Sequence, residues 1–381
     1  MFIKNCVMRI FMLSNPNAVH TQRWVKALAE RGVVVMLYSF RPYKDNGYYQ
    51  DMNNVQIKSF TKQRELKGIR NFFPIKLLTY YRTLLKDIKA SIQSFQPDIV
   101  HAHYLSDNGL FGALSGFHPL IVSAWGTDVY DYPKWSGSRA RVIRYVLRKA
   151  DCILSTSHVM AKEVFKYTDK EWLFVTPFGV DMSLFKPLPV VKQKNHVVFG
   201  IVKTLSHGYG IDTLIDAFAL LRARRPELSI SLRIVGEGKE REQLERQAAD
   251  LGLSKEISFM GRIANDKLPE VINQFDIFVA LSRIESFGVA VVEAMATGCP
   301  VIVSDAPGFT EIVEHGQSGL IVKRDDPQQA SEAMENLVDH EELRLSLAKN
   351  GRERVRALYD WGKNVEEMIS VYKLMSTNKN V

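Results

Sequence analysis

The chain has 381 residues, a formal net charge of +8 and a pI near 9.2, with 46% hydrophobic and 24% charged residues. That length exceeds one ordinary core and predicts two domains, and the composition excludes a disordered, fibrous or membrane-spanning chain. Cys6, Cys152 and Cys299 stand far apart without metal-ligand spacing, as reduced core thiols of a cytoplasmic protein do.

The first apolar stretch, MFIKNCVMRIFMLSNPN, is interrupted by Arg9 and followed by no small-residue cleavage site, so a buried strand is expected rather than a signal peptide. Short β-like runs then alternate with helical patterns: MRIFMLS, VVVMLYS, VQIKSF, DIVHAHY, LIVSAWG, CILSTS and LFVTPF, with helices such as TQRWVKALAERG and RVIRYVLRKA between them. Such alternation predicts a parallel sheet covered on both faces. Asn15, His20, Thr21 and Arg23 follow the first strand and are candidate acceptor or phosphate contacts. Of the two histidines ending the fourth run, His103 is expected to face the ligand side and His101 the opposite face. The fifth run delivers Trp125 and Asp128 to the same edge.

From Lys58 to Lys89 nine basic residues stand against two acids, Glu65 and Asp87, with Phe72, Phe73, Tyr80 and Tyr81 among them. Residues 58–89 therefore suit an anionic membrane surface, or else form a solvated helix face. Nucleic acid would rest on charge alone and is not expected as a partner.

A proline- and lysine-rich stretch without periodicity predicts a linker over 186–196, between an N-terminal domain of 1–185 and a C-terminal domain of 197–358. Residues 359–381 are expected to form a helix returning to the first domain. Past the linker the alternation restarts with HVVFGIV, LSISLRIVG, EISFMGR, DIFVALS, PVIVSD and GLIV. The fold class expected is α/β, with two Rossmann-like doubly wound domains, and such folds bind ligands at the carboxyl ends of strands and across the gap between domains. Gly236-x-Gly238 follows a strand but lacks the third glycine and the distant acid of a dinucleotide site, so no nicotinamide cofactor is expected.

The segment Val279–Val322, VALSRIESFGVAVVEAMATGCPVIVSDAPGFTEIVEHGQSGLIV, holds the strongest constellation. A buried strand, a loop with Glu285, Ser286, Phe287 and Gly288, and a helix carrying Glu293 succeed one another. The helix start offers N–H groups and a positive dipole end to a diphosphate. Glu293, five residues on, lies about 7.5 Å along the axis, a suitable distance for ribose. Lys203 after HVVFGIV is the leading cation for a leaving diphosphate, and no D-x-D element exists to place a metal there.

ESFGVAVVEAMATGCPVIVSD resembles the signature of glycosyltransferase family 4, the retaining enzymes of GT-B fold. The match continues through Pro307-Gly308, Glu311-Ile312-Val313 and Gly319–Val322, and upstream through IVGEGKEREQLERQAADLGL and ISFMGRI; it covers residues 195–360 and the first half more loosely. The resemblance implies that Glu285 contacts the donor sugar, that Phe287, Gly288 and Val289 supply backbone contacts, and that Glu293 holds the ribose. It also implies that Gly261, Arg262 and Ile263 line the base pocket. Two departures stand out. Tyr209 occupies the place of a second family lysine, for which His207 or Arg262 could substitute, and Trp125 stands where members often carry histidine.

These implications amount to a metal-independent, cofactor-free transferase moving a hexosyl-type sugar from a nucleotide-sugar donor, UDP favoured, to a glycan or lipid-linked acceptor in cell-surface polysaccharide or glycolipid synthesis. Glu285, Asp128 and His103 are the catalytic candidates. A front-side displacement needs no protein nucleophile, whereas a double displacement needs a carboxylate such as Asp128 or Glu285 at the anomeric carbon. A sugar epimerase and a non-catalytic binding protein are the alternatives.

Overall fold

The computed structural model describes residues 7–60 and 73–377, with side chains described again from residue 78 onward. The chain forms two compact units, the first running to Thr176 and resuming at Val365, the second comprising Pro177–Asn364. In the first unit β1 (Arg9–Leu13), β2 (Val34–Ser39), β3 (Val55–Ser59), β4 (Ile99–His103), β5 (Leu120–Ala124), β6 (Cys152–Ser155) and β7 (Leu173–Val175) make one sheet. Its order is β3-β2-β1-β4-β5-β6-β7, with every pairing parallel. In the second, β8 (Val197–Val202), β9 (Ile230–Val235), β10 (Ile257–Gly261), β11 (Ile277–Ala280), β12 (Val301–Ser304) and β13 (Leu320–Val322) are ordered β10-β9-β8-β11-β12-β13, again all parallel.

Each strand-like run of the sequence becomes a strand. β4, β5, β11 and β12 are buried at every position, because helices cover both faces of a parallel sheet. In each sheet the winding reverses beside the first strand, between β1 and β4 and between β8 and β11, and at such a reversal the loops part and leave room for a ligand. Arg9, the charge that interrupts the first apolar run, starts β1. Its amide donates to Asp98 Oδ2 at 2.7 Å, and its guanidinium donates to the Phe95 carbonyl at 2.7 Å while lying over the Phe95 ring.

The stretch 186–196 lies within the second unit rather than outside both. The Asn273 side chain accepts from the Leu188 amide (2.8 Å) and donates to the Lys186 carbonyl (3.0 Å), and the Lys192 ammonium sits on Asp276 at 2.9 Å. Proline and lysine content signals an irregular backbone, and it is silent on whether side chains elsewhere bind that backbone down. The helix Trp361–Thr377 starts in the second unit and continues into the first.

His101 and His103 occupy the same face of β4, with ring centroids 4.6 Å apart; residues two apart on a strand share a face, which corrects the expectation that the two point oppositely. His101 is fully buried. Its Nδ1 meets the Tyr372 hydroxyl at 2.6 Å and its Nε2 meets Ser123 Oγ at 2.7 Å, tying the C-terminal helix to the sheet. Tyr372→Phe removes one partner of a buried ring nitrogen, and urea denaturation should show a loss of about 1–3 kcal/mol; an unchanged midpoint would deny the contact any weight.

Cys152 and Cys299 are buried free thiols that burial pushes up to about 12, and Cys6 lies outside the described residues. Among the described residues no helix is long and apolar enough to cross a membrane.

Candidate functional site

The reversal between β8 and β11 gathers the charged residues of the second unit. Lys203 directly follows β8 and Glu285 sits in the loop after β11; the two side chains form an ion pair, only 19% and 10% exposed. The Lys203 ammonium also lies over the Tyr209 ring, 4.2 Å from its centroid. The residue that departs from the family pattern thus supplies a π-face instead of a second cation.

Backbone pairing continues past the strand ends and fixes Lys203 further. The Lys203 amide donates to Val235 O at 2.9 Å, Gly236 N to Gly261 O at 2.9 Å, and Leu205 N to Glu237 O at 3.1 Å. A Cβ on Gly236, whose φ is +145°, would stand 1.9 Å from the Lys203 carbonyl oxygen. The glycine of the G-x-G element therefore lets two loop backbones touch, a packing role.

The loop carrying Glu285 is braced by Arg283, which sequence reasoning did not single out. Its guanidinium holds both Asp212 oxygens at 2.8 Å and Asp325 at 2.6 Å, while its amide donates to Gly208 O at 2.9 Å. Burial alone would raise the Asp212 carboxyl, but the Arg283 hydrogen bonds and charge prevail and hold it below the usual carboxylate range. The only signal was a basic residue inside the motif; its acidic partner lies 71 positions away. Gly308 N adds a hydrogen bond to Glu285 O at 3.0 Å.

Phe287 is buried against Phe178 and Tyr359, so its side chain belongs to the core and only its backbone remains to meet a ligand. Gly288, at φ +106°, opens the helix Val289–Ala296 with no side-chain cap; a Cβ there would press on the Phe309 ring at 2.8 Å. Glu293 is 5% exposed on this otherwise apolar helix, a burial that a carboxylate tolerates only with hydrogen-bond donors around it.

Gly261 ends β10, two strands from β8, with Arg262 exposed and Ile263 half-buried beyond it. Of the proposed substitutes for the second cation, His207 is turned toward Asp212, at 4.0 Å, and Arg262 is exposed at the strand's end. Among the described residues no group of three or more His, Cys, Asp or Glu is placed to hold a metal.

The reversal between β1 and β4 in the first unit gathers a second, less charged set. His103 Nδ1 meets Ser14 Oγ at 3.0 Å, and Ser14 in turn meets Thr21 Oγ1 at 2.8 Å. The His103 ring lies 4.2 Å from that of Trp125, tilted 35°, and His20 approaches the same indole edge-on at 6.1 Å. Burial, reinforced by His101 and His20, pushes His103 well below its ordinary value, and burial followed by the Arg23 charge pushes His20 down to about 4. Both rings are therefore neutral at pH 7.

Asp128 is buried and accepts backbone N–H from Leu105 (2.8 Å), Gly126 (2.8 Å) and Trp125 (3.1 Å). Burial raises its carboxyl to about 6 against those hydrogen bonds. Asn15 accepts from the amide of Asn17 at 3.1 Å, closing the turn after β1. Ser14 went unnoticed in the sequence because a lone serine at a strand end carries no pattern.

Residues 58–89 lie partly outside the described residues, which omit 61–72. Of the rest, Lys58 is paired with Asp87 at 3.0 Å, Tyr80 packs on Phe60, and Leu78, Tyr81, Arg82, Lys86 and Lys89 are exposed.

Residues 186–354 match the family model of glycosyl transferases group 1, and residues 9–157 that of glycosyl transferase 4-like proteins. The chain belongs to the group 1 glycosyltransferases. This glycosyltransferase is 26% identical over 362 residues to an uncharacterised glycosyltransferase of Methanocaldococcus jannaschii, covering 94% of each chain. It is 29% identical over 383 residues to the D-inositol 3-phosphate glycosyltransferase of Stackebrandtia nassauensis, covering 93% of this chain and 85% of the relative. Among solved structures, Anabaena HepE in complex with UDP and glucose aligns with a TM-score of 0.78 at 21% identity, over 96% of this chain and 99% of that one. Sucrose-phosphate synthase from Thermosynechococcus elongatus aligns with a TM-score of 0.77 at 21% identity, over 98% and 100%. These likenesses establish the GT-B fold of two Rossmann-like units.

Proposed function

We propose that this glycosyltransferase moves a hexosyl-type sugar, with retention, from a nucleoside diphosphate, UDP favoured, to a glycan or lipid-linked acceptor without a metal. The observation carrying the reading is the set at the β8–β11 reversal: Lys203, paired with Glu285 and backed by Tyr209, beside the glycine-started helix that holds Glu293. A diphosphate meets the Lys203 ammonium and the helix N–H groups there, while Glu293 accepts from the ribose hydroxyls and Glu285 from those of the sugar. Gly261, Arg262 and Ile263 flank the base. The HepE structures with UDP and with UDP-glucose support the choice of nucleotide for this fold.

In the reaction the bond between the anomeric carbon and the β-phosphate oxygen breaks, and the acceptor oxygen attacks from the same face. Its proton passes to the departing phosphate oxygen. Lys203 and the helix start carry the charge that accumulates on the nucleoside diphosphate. Asp128, with three backbone donors on its carboxylate, acts as the clasp of the Trp125 turn; His103 and Trp125, with Asn15, His20 and Arg23 nearby, orient the acceptor.

A thermal-shift titration tests the donor half. UDP should stabilise the wild type, Glu293→Ala should abolish the shift, and stabilisation and turnover should both survive excess chelator. Loss of turnover on chelation would sink the metal-free reading. Binding of nucleotide sugars without transfer to any membrane or glycan extract would favour a non-catalytic binding protein.

A further inference from the structure

Residues 131–150 carry six basic side chains (Lys134, Arg139, Arg141, Arg144, Arg148, Lys149) and a single acid, Asp131. The helix Gly137–Lys149 buries Ile143, Val146 and Leu147 against its own unit and leaves Arg141, Arg144 and Arg148 exposed on the opposite side, with Lys149 beside them. A solvated helix face ordinarily mixes both signs of charge. This one has no acid at all.

Just before it, the turn Tyr132–Trp135 holds Trp135 out, 65% exposed, with the Arg139 guanidinium 4.6 Å from the indole and 5.2 Å from the Tyr132 ring. Burying Trp135 would remove a large apolar surface from water, so an indole fixed in this position by a cation calls for an environment that takes both. Tyr81 is exposed and packs on Phe111, with ring centroids 5.8 Å apart. With Leu78 and Arg82 on the same helix, Phe73–Phe95, it extends the exposed aromatic and basic surface. Amphipathic rings among unopposed cations match the boundary between anionic headgroups and acyl chains.

We propose that this corner of the first unit, Trp135 with the basic face of helix Gly137–Lys149, docks on an anionic lipid surface. The turn leaves the carboxyl end of β5 through Gly126–Tyr130, so it stands at the sheet edge that also carries Asn15, His103 and Trp125. Docking there would bring that edge to a lipid-linked acceptor; this consequence rests on the transferase reading, whereas the lipid contact does not.

Vesicle co-sedimentation of the full chain tests it. The wild type should bind vesicles containing phosphatidylglycerol at low salt, be released by high salt, and leave pure phosphatidylcholine vesicles alone. Each basic residue near such a surface contributes roughly fivefold, so Arg141→Ala/Lys149→Ala should weaken binding about thirtyfold. Trp135→Ser should weaken it several-fold and remove part of the fluorescence blue shift seen on binding. Both variants should keep the wild-type UDP thermal shift, since these exposed residues lie outside the second unit. Equal binding to both kinds of vesicle, variants that bind like wild type, or retention on heparin or single-stranded DNA without vesicle binding would overturn the proposal. Charge-dependent vesicle binding with no UDP shift would uphold the docking surface and remove the UDP-donor reading instead.

Discussion

Lys203→Met should lower kcat/KM by two to three orders of magnitude, the loss expected when one donor to a developing anion is removed. The ammonium lies at the carboxyl end of β8, anchored through its own backbone to β9 and held between the Glu285 carboxylate and the Tyr209 ring. On the proposed reading an incoming diphosphate would compete with Glu285 for this ammonium, and the carboxylate it releases would become available for sugar hydroxyls. Diphosphate and sugar recognition would thereby be coupled, so Lys203→Met and Glu285→Gln should be strongly non-additive in a double-mutant cycle. Tyr209 acts through Lys203: Tyr209→Phe keeps the π-face and should stay near wild type, whereas Tyr209→Leu should lose roughly three- to thirtyfold. Steady-state kinetics on these four single variants and on the Lys203→Met/Glu285→Gln double variant decides the matter. Wild-type kcat/KM in Lys203→Met would remove the lysine from the mechanism.

The second large effect is acid loss of stability in the first unit. His101 is held neutral by burial, down to about 3, and His103 is pushed well below 6.5 by burial and its neighbours. Both folded values lie under the unfolded one, so the unfolded chain binds more protons as pH falls below about 6.5, and each histidine then favours unfolding. Asp128, raised to about 6 by burial, opposes them, because its folded form takes up a proton before the unfolded one does. At pH 5 His101 and His20, the latter lowered to about 4, cost about 2 kcal/mol each and Asp128 returns about 1, a net loss of roughly 3 kcal/mol relative to pH 8, to which His103 adds in the same direction. Denaturant unfolding of the first unit at both pH values measures this. A histidine NMR titration should show the His101 ring failing to protonate above pH 5 and the His103 ring titrating below the ordinary histidine range; ordinary titration near 6.5 would contradict the burial argument.

The alternation of apolar runs with helical patterns determined the two parallel sheets, since a strand covered on both faces must be apolar throughout and its crossover helices must intervene. VALSRIESFGVAVVE likewise marked a strand end, loop and helix start, because that local order is written in consecutive residues. Arg283 with Asp212, Lys203 with Tyr209 and Glu285, and His101 with Tyr372 were decided only by the tertiary structure. Those partners are far apart in the chain or, like Tyr209, take their meaning from a side chain's direction. The same holds for residues 186–196, whose composition predicts irregular backbone while Asn273 and Asp276 fasten it to the second unit. Sequence periodicity reports which face an element buries; which polar atom meets which is fixed only once separate elements have packed together.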